Sequence, residues 1–218
     1  MVNVPQIRGL QIVLLGDFNP TIFQPAWFAR EGLLTDEEAS DASIGLIHPD
    51  VTSFELSWFR CTVERERFTA ISLAQPYFER LATTVCSLFD LLNHTPITMM
   101  GLNFEAHFRA ATLEKWHALG HKLAPKDFWT KYFTAPGMQD VTIRQLPRPD
   151  GIGGHVQICV QPSAHVNPGI YIAIKDHFQD LDGSALGAQK AVDLIRDKWV
   201  ERSEFAEQIF QDLSTEVA

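Results

Sequence analysis

The chain has 218 residues, of which 45% are hydrophobic and 21% charged, with a formal net charge of −9. That composition is globular and long enough to bury a core without disulfide or metal staples. The negative charge repels a phosphate backbone unless a basic patch stands apart from the rest, which argues against nucleic acid as a partner.

The apolar run before Gly16 is too short for a signal segment or a membrane span, so a cytoplasmic protein with no membrane partner is expected. Residues 11–18 read as a short buried strand, after which Pro20 and Pro25 punctuate a turn and a helix start. PAWFAREGLL reads as a short helix closed by Gly32, and Thr35 as the cap of the acidic turn TDEEAS. Residues 44–48 form a strand stopped by Pro49. Two β-rich runs, 53–63 and 67–73, joined by the charged turn ERE, read as a hairpin. In PYFERLATTVCSLFDLLN, residues Tyr77, Leu81, Val85, Leu88 and Leu92 recur at three- and four-residue steps, which predicts an amphipathic helix with Pro76 in its first turn.

Residues 97–109, ITMMGLNFEAHFR, alternate along a long strand. Met100, Leu102, Phe104, Ala106 and Phe108 fall on one side; Asn103, Glu105, His107 and Arg109 fall on the other. A helix over 113–122 follows, then a short aromatic helix in DFWTKYF, a strand over 140–146, and PRPDGIGG, the most linker-like stretch. In HVQICVQ, Val156, Ile158 and Val160 oppose His155, Gln157, Cys159 and Gln161. In IYIAIKDHF, Ile170, Ile172 and Ile174 oppose Tyr171, Lys175 and His177. Between them Pro162 and Pro168 flank a loop that carries His165. A long helix over 184–213 closes the pattern with the stripe Val192, Ile195, Trp199, Ala206, Ile209 and Leu213.

These elements predict an α+β fold, with antiparallel sheet covered by helices on one face. The order strand, helix, hairpin, long helix occurs twice, which suggests two βαββα halves, 1–95 and 96–218, within one compact domain. Cys61, Cys86 and Cys159 are far apart and sit in apolar or alternating patterns, so buried free thiols are expected.

No familiar catalytic motif stands in the chain. His117 and His121 have the i, i+4 spacing of zinc hydrolases, but Ala118 stands where a general-base glutamate is needed and no third ligand is evident, so no metal is expected. DLDG, 180–183, lacks the later ligands of a calcium loop and reads as a capping turn. LGDFNP has no phosphate-loop lysine, no serine lies in a nucleophile elbow, and no cofactor is expected. Lys115, Lys122, Lys126 and Lys131, interleaved with Trp116, Trp129 and Tyr132, read as a solvated helix face. The surface to suspect is the polar side of the strands: Asn103, Glu105, His107, Arg109, His155, Gln157, Tyr171, Lys175 and His177. It is either a solvated face or a ligand or partner surface on which a His–Glu combination can do acid–base work.

The leading expectation is a non-enzymatic interaction protein, because 15 Phe and 5 Trp exceed what a core needs and aromatics anchor interfaces. Its partner would be a protein, such as a toxin or a defence-system subunit, or a second copy of the chain. The alternative is a small-molecule-binding protein or enzyme that uses the polar face around His107, His155 and His177.

Three segments, RFTAISLAQPYFERLATTVCSLFDLL, MMGLNFEAHFR, and YIAIKDHF with the helix ending FAEQIFQDL, resemble a sporadically distributed bacterial family of uncharacterised α+β proteins over residues 67–213. In that family a strand and a tyrosine-bearing helix precede a Gly-Leu-Arg-Tyr-like strand, and the chain ends in a strand and a long helix. Asn103 and Phe104 stand where the family has arginine and tyrosine, so a role for that pair does not carry over. The resemblance implies an α+β architecture and a bacterial origin, and it brings no activity.

Overall fold

Alternation along the long strands decides the architecture. The computed structural model describes residues 3–181, 183 and 186–218. In chain order the elements are β1 (Ile7–Gly16), α1 (Pro25–Arg30), α2 (Asp36–Ser40), β2 (Ser43–His48), β3 (Val51–Glu55), β4 (Arg60–Glu64), β5 (Arg67–Ser72), α3 (Phe78–Leu91), β6 (Ile97–Arg109), α4 (Leu113–Leu123), β7 (Val141–Gln145), β8 (Gly154–Pro162), β9 (Gly169–Phe178) and α5 (Gly187–Thr215). The fold is α+β. All nine strands of the described residues join one antiparallel sheet in the order β2-β3-β4-β5-β1-β6-β9-β8-β7.

The hairpins expected from the sequence are β4-β5 and β8-β9, and further strands extend each of them outward. β2 and β3 lie outside β4, and β7 lies outside β8. β5 returns to pair with β1, and β9 returns to pair with β6, so β1 and β6 meet at the centre. The run 53–63, read as one strand, breaks at residues 56–59. There Leu56 N–H donates to the Phe59 carbonyl at 2.8 Å and turns the chain back on itself. Neither Gly nor Pro marks that turn, and its Leu56, Trp58 and Phe59 are buried, so it looks like strand in the sequence.

Other boundaries differ by local chemistry. β1 begins at Ile7 because the 7–10 stretch pairs with 104–107 of β6. Thr35 caps α2 as expected, and Glu38 reaches back to the Thr35 N–H to complete a capping box. DFWTKYF forms a single 3-10 turn at Trp129–Lys131 rather than a helix. The start at Ser184 read for the last helix, and Asp182 of the DLDG turn, lie outside the described residues; α5 begins at Gly187. Gly187 is required there, because a Cβ would collide with the Ile97 carbonyl as α5 passes the start of β6.

One face of the sheet carries the core. Leu10, Ile12 and Leu14 of β1, Leu102, Phe104 and Ala106 of β6, and Ile170, Ile172 and Ile174 of β9 are all buried. α3 and α5 pack against each other on that face, with Leu81, Val85 and Leu88 from one and Val192, Ile195 and Phe210 from the other. Phe18, Phe23, Phe68 and Phe89 form a cluster with ring centroids 5.1–6.4 Å apart. Twelve of the 15 phenylalanines are buried, so the aromatic content serves the core and the compositional argument for an interface does not stand. Cys61, Cys86 and Cys159 are free and buried, as expected. Among the described residues no helix is long and apolar enough to cross a membrane.

Candidate functional site

β6, β9 and β8 are neighbours, and their register fixes what the polar face holds. Asn103 lies opposite Lys175, which lies opposite Gln157. His107 lies opposite Tyr171, and His177 opposite His155. Glu105 and Arg109 occupy alternate positions of β6 on the same side. All nine suspected residues therefore share one face of three adjacent strands, where most of them fall into three groups, the second and third touching through Tyr171.

The first group is His155 and His177, whose rings are 4.9 Å apart. Burial, and then the neighbouring His177, hold His155 below the usual histidine range; burial, and then Arg148, do the same to His177. In the second group the Tyr171 hydroxyl donates to Glu105 Oε2 at 2.8 Å, and the Asn103 amide donates to Gln11 Oε1 at 3.1 Å. Burial and the Glu105 carboxylate push the Tyr171 phenol upward, so it stays a donor. These residues and Lys175 line a cleft of about 230 Å³. Gln157 accepts from Arg144 at 3.4 Å and does not line the cleft.

The third group corrects the sequence reading. Alternation assigns His107 to a solvated face, yet it is only 7% exposed. The loop 163–167 folds over it. Ser163 Oγ accepts the N–H groups of His165 at 3.1 Å and Val166 at 2.9 Å, so its own proton goes to His107 Nδ1, 2.8 Å away. This assigns His107 as the neutral Nε2–H tautomer. The His165 and Tyr171 rings lie 5.0 and 4.8 Å from it. Arg109 remains exposed and donates to the Asn167 carbonyl at 3.1 Å, which ties β6 to the same loop.

His107→Ala is expected to cost about 1–3 kcal/mol, because it leaves the Ser163 hydroxyl without its acceptor and opens a gap beneath the loop. Urea unfolding checks this, and a cost near zero would mean that the loop holds itself. Burial, then His165, lowers the His107 pKa. The unfolded chain therefore takes up a proton that the folded chain refuses as pH falls below about 6.5, so stability declines towards acid. Comparing unfolding at about pH 7 and about pH 5.5 should show the decline, and His107→Ala should reduce its slope.

No histidine on this face hydrogen-bonds a carboxylate among the described residues. Glu105, the nearest candidate base, is held by Tyr171. The face thus offers hydrogen-bonding groups but no assembled acid–base pair. His117 and His121 are exposed on α4, and no cluster of three metal-ligating side chains occurs among the described residues.

Two features escaped the sequence reading. The first is a buried ion cluster on the opposite, core side of the sheet. Asp176 pairs with Arg148 through Oδ1 and with Arg202 through Oδ2, and Arg148 also holds Asp150 at 2.7 Å. Arg148, Asp176 and Arg202 are each no more than 5% exposed. PRPDGIGG is therefore anchored rather than linker-like. The signal was present: Asp176 alternates with Ile172 and Ile174 onto the apolar side.

The second is the connection between α4 and β7. Phe128, Trp129, Tyr132 and Phe133 are 57%, 48%, 67% and 58% exposed. The Phe128 ring lies 5.2 Å from Trp129 and 5.9 Å from Tyr132, with Lys131 Nζ 5.3 Å above it. Lys115, Lys122 and Lys131 are exposed as the sequence suggests, but Lys126 is buried and the aromatic rings between them also meet water.

No protein-family model matches the chain, and no curated protein matches it.

Proposed function

We propose that the protein is a non-enzymatic interaction protein of a bacterial cell, and that the segment around Phe128–Phe133 is where it holds a protein partner. The observation that carries this reading is the exposure of four aromatic side chains within six residues, on a chain that buries nearly all its other phenylalanines. Clustered exposed rings mark contact surfaces, and aromatic anchors carry much of the energy of such contacts. A cytoplasmic location, a toxin or defence-system partner and kinship with the sporadic bacterial family belong to the same proposal.

The test uses the double variant Trp129→Ala, Phe133→Ala. Both side chains are exposed, so each change should shift stability by no more than about 0.5 kcal/mol. The partner recovered with the wild-type chain from its host should be lost, or bound at least about tenfold more weakly. If the variant recovers the same protein at the same yield, the segment is not the contact.

A second reading is favoured by the Tyr171–Glu105 pair beside Asn103 and Lys175 in the 230 Å³ cleft. A small hydrogen-bonding molecule would sit there, and Glu105→Gln would then weaken its binding without moving partner binding.

A further inference from the structure

α4, the chain that follows it and the start of β9 enclose a second cavity, of about 400 Å³, within the usual size range of small-molecule sites. Trp116, Leu119, Met138 and Ile170 give it hydrocarbon walls. The Trp116 indole N–H is already committed to the Gly169 carbonyl at 2.9 Å, so the ring serves as a fixed wall.

One side chain in this lining is out of place. Lys126 is 7% exposed. Lysine is almost never buried unless paired, yet no carboxylate of the described residues forms an ion pair with it. Its ammonium donates to the carbonyl oxygens of Gly120, at 2.7 Å, and Ala124, at the C-terminal end of α4. A helix end supplies about half a negative charge. Among the described residues a third N–H and about half of the positive charge have no match. Burial accordingly pulls the Lys126 pKa below the usual lysine value.

A cavity with hydrocarbon walls and one buried cation at its edge suits a ligand of matching polarity. We propose that this cavity binds a small apolar carboxylate, such as a medium-chain fatty acid or an arylalkanoic acid. Its anionic end would pair with Lys126 Nζ, and its hydrocarbon would lie against Trp116, Leu119, Met138 and Ile170. His117 and His121 also reach the rim but are exposed, so Lys126 is the buried cation that a single carboxylate would meet, and a charge-assisted bond in a site with little water is worth more than a neutral one. None of the four exposed rings lines this cavity, so the site does not rest on the partner reading.

Titration calorimetry of the whole chain with octanoate, 1-octanol and octylamine tests it. Octanoate should bind at least about tenfold more tightly than octanol, and octylamine should not bind, because only the carboxylate meets the ammonium. Lys126→Met keeps the length of the side chain and removes its charge. It should reduce octanoate to the affinity of octanol while leaving octanol unchanged. Met138→Trp, which fills the half-exposed side of the cavity, should abolish both. Equal binding of octanoate and octanol to the wild type, binding of neither, or a preference that survives Lys126→Met would overturn the proposal. Thermal unfolding verifies that each variant is folded. If Lys126→Met is not, the wild-type comparison and Met138→Trp still decide.

Discussion

Asp176→Asn is expected to lower folding stability by about 3–5 kcal/mol, the range for removing one partner from a buried ion pair. The carboxylate joins three parts of the chain: it sits on β9, Arg148 brings in the segment before β8, and Arg202 brings in α5. An amide keeps the shape and loses the charge. Arg148 would retain Asp150, but Arg202, at 5% exposure, would keep among the described residues only Glu201, at 3.6 Å, as an ion-pair partner, beside the Phe205 ring. Most of the loss is the cost of an uncompensated guanidinium in a region of low dielectric, not the worth of the pair itself. The triple change of Asp176 to Leu and of Arg148 and Arg202 to Met should therefore cost less than Asp176→Asn alone. Urea unfolding of the wild type and the two variants separates these outcomes, and a loss below about 1 kcal/mol for Asp176→Asn would show that water reaches the cluster. Asp150 adds a pH signature. Arg148 holds its carboxyl below the usual range, so its contribution is present above about pH 4 and is lost as acid titrates it.

Leu88→Ala should cost about 2–5 kcal/mol, as for other buried leucine truncations. Leu88 is 1% exposed in the middle of α3, the helix that packs on β5 and on α5. Truncation leaves a cavity that neither a sheet nor a helix packed on both sides can close. Leu91, three residues on, is 49% exposed, so Leu91→Ala should stay within about 0.5 kcal/mol and serves as the control. Similar midpoints for the two variants would mean that the stripe had been placed on the wrong side of the helix.

The stripe that locates Leu88 was readable in the sequence, because the helical period puts residues three and four apart on one face. The same holds for β6, where two-residue alternation marks 100–109 and Pro96 marks the start. Thr35, Gly32 and Pro25 were legible for a related reason. Caps, positive φ and a ring-fixed φ are properties of a residue and its near neighbours. The break between β3 and β4 was not legible, because its turn is made of residues that the core needs.

Local chemistry alone thus determined the kinds of element, the side of each strand on which Asn103, Glu105, His155, Tyr171 and His177 stand, and the α+β class. Tertiary structure decided which faces meet and what covers them. The nine polar residues share a surface only because β9 pairs with β6 across more than sixty residues of chain. His107 is buried only because a loop between two prolines closes over it. Asp176 is tolerated in the core only because Arg148 and Arg202 arrive from distant segments. Lys126 loses its solvent because the chain after α4 folds back along it. Periodicity is a property of neighbours a few residues apart, whereas burial and charge compensation depend on groups that the sequence keeps far away and only the closed sheet and its helices bring into contact.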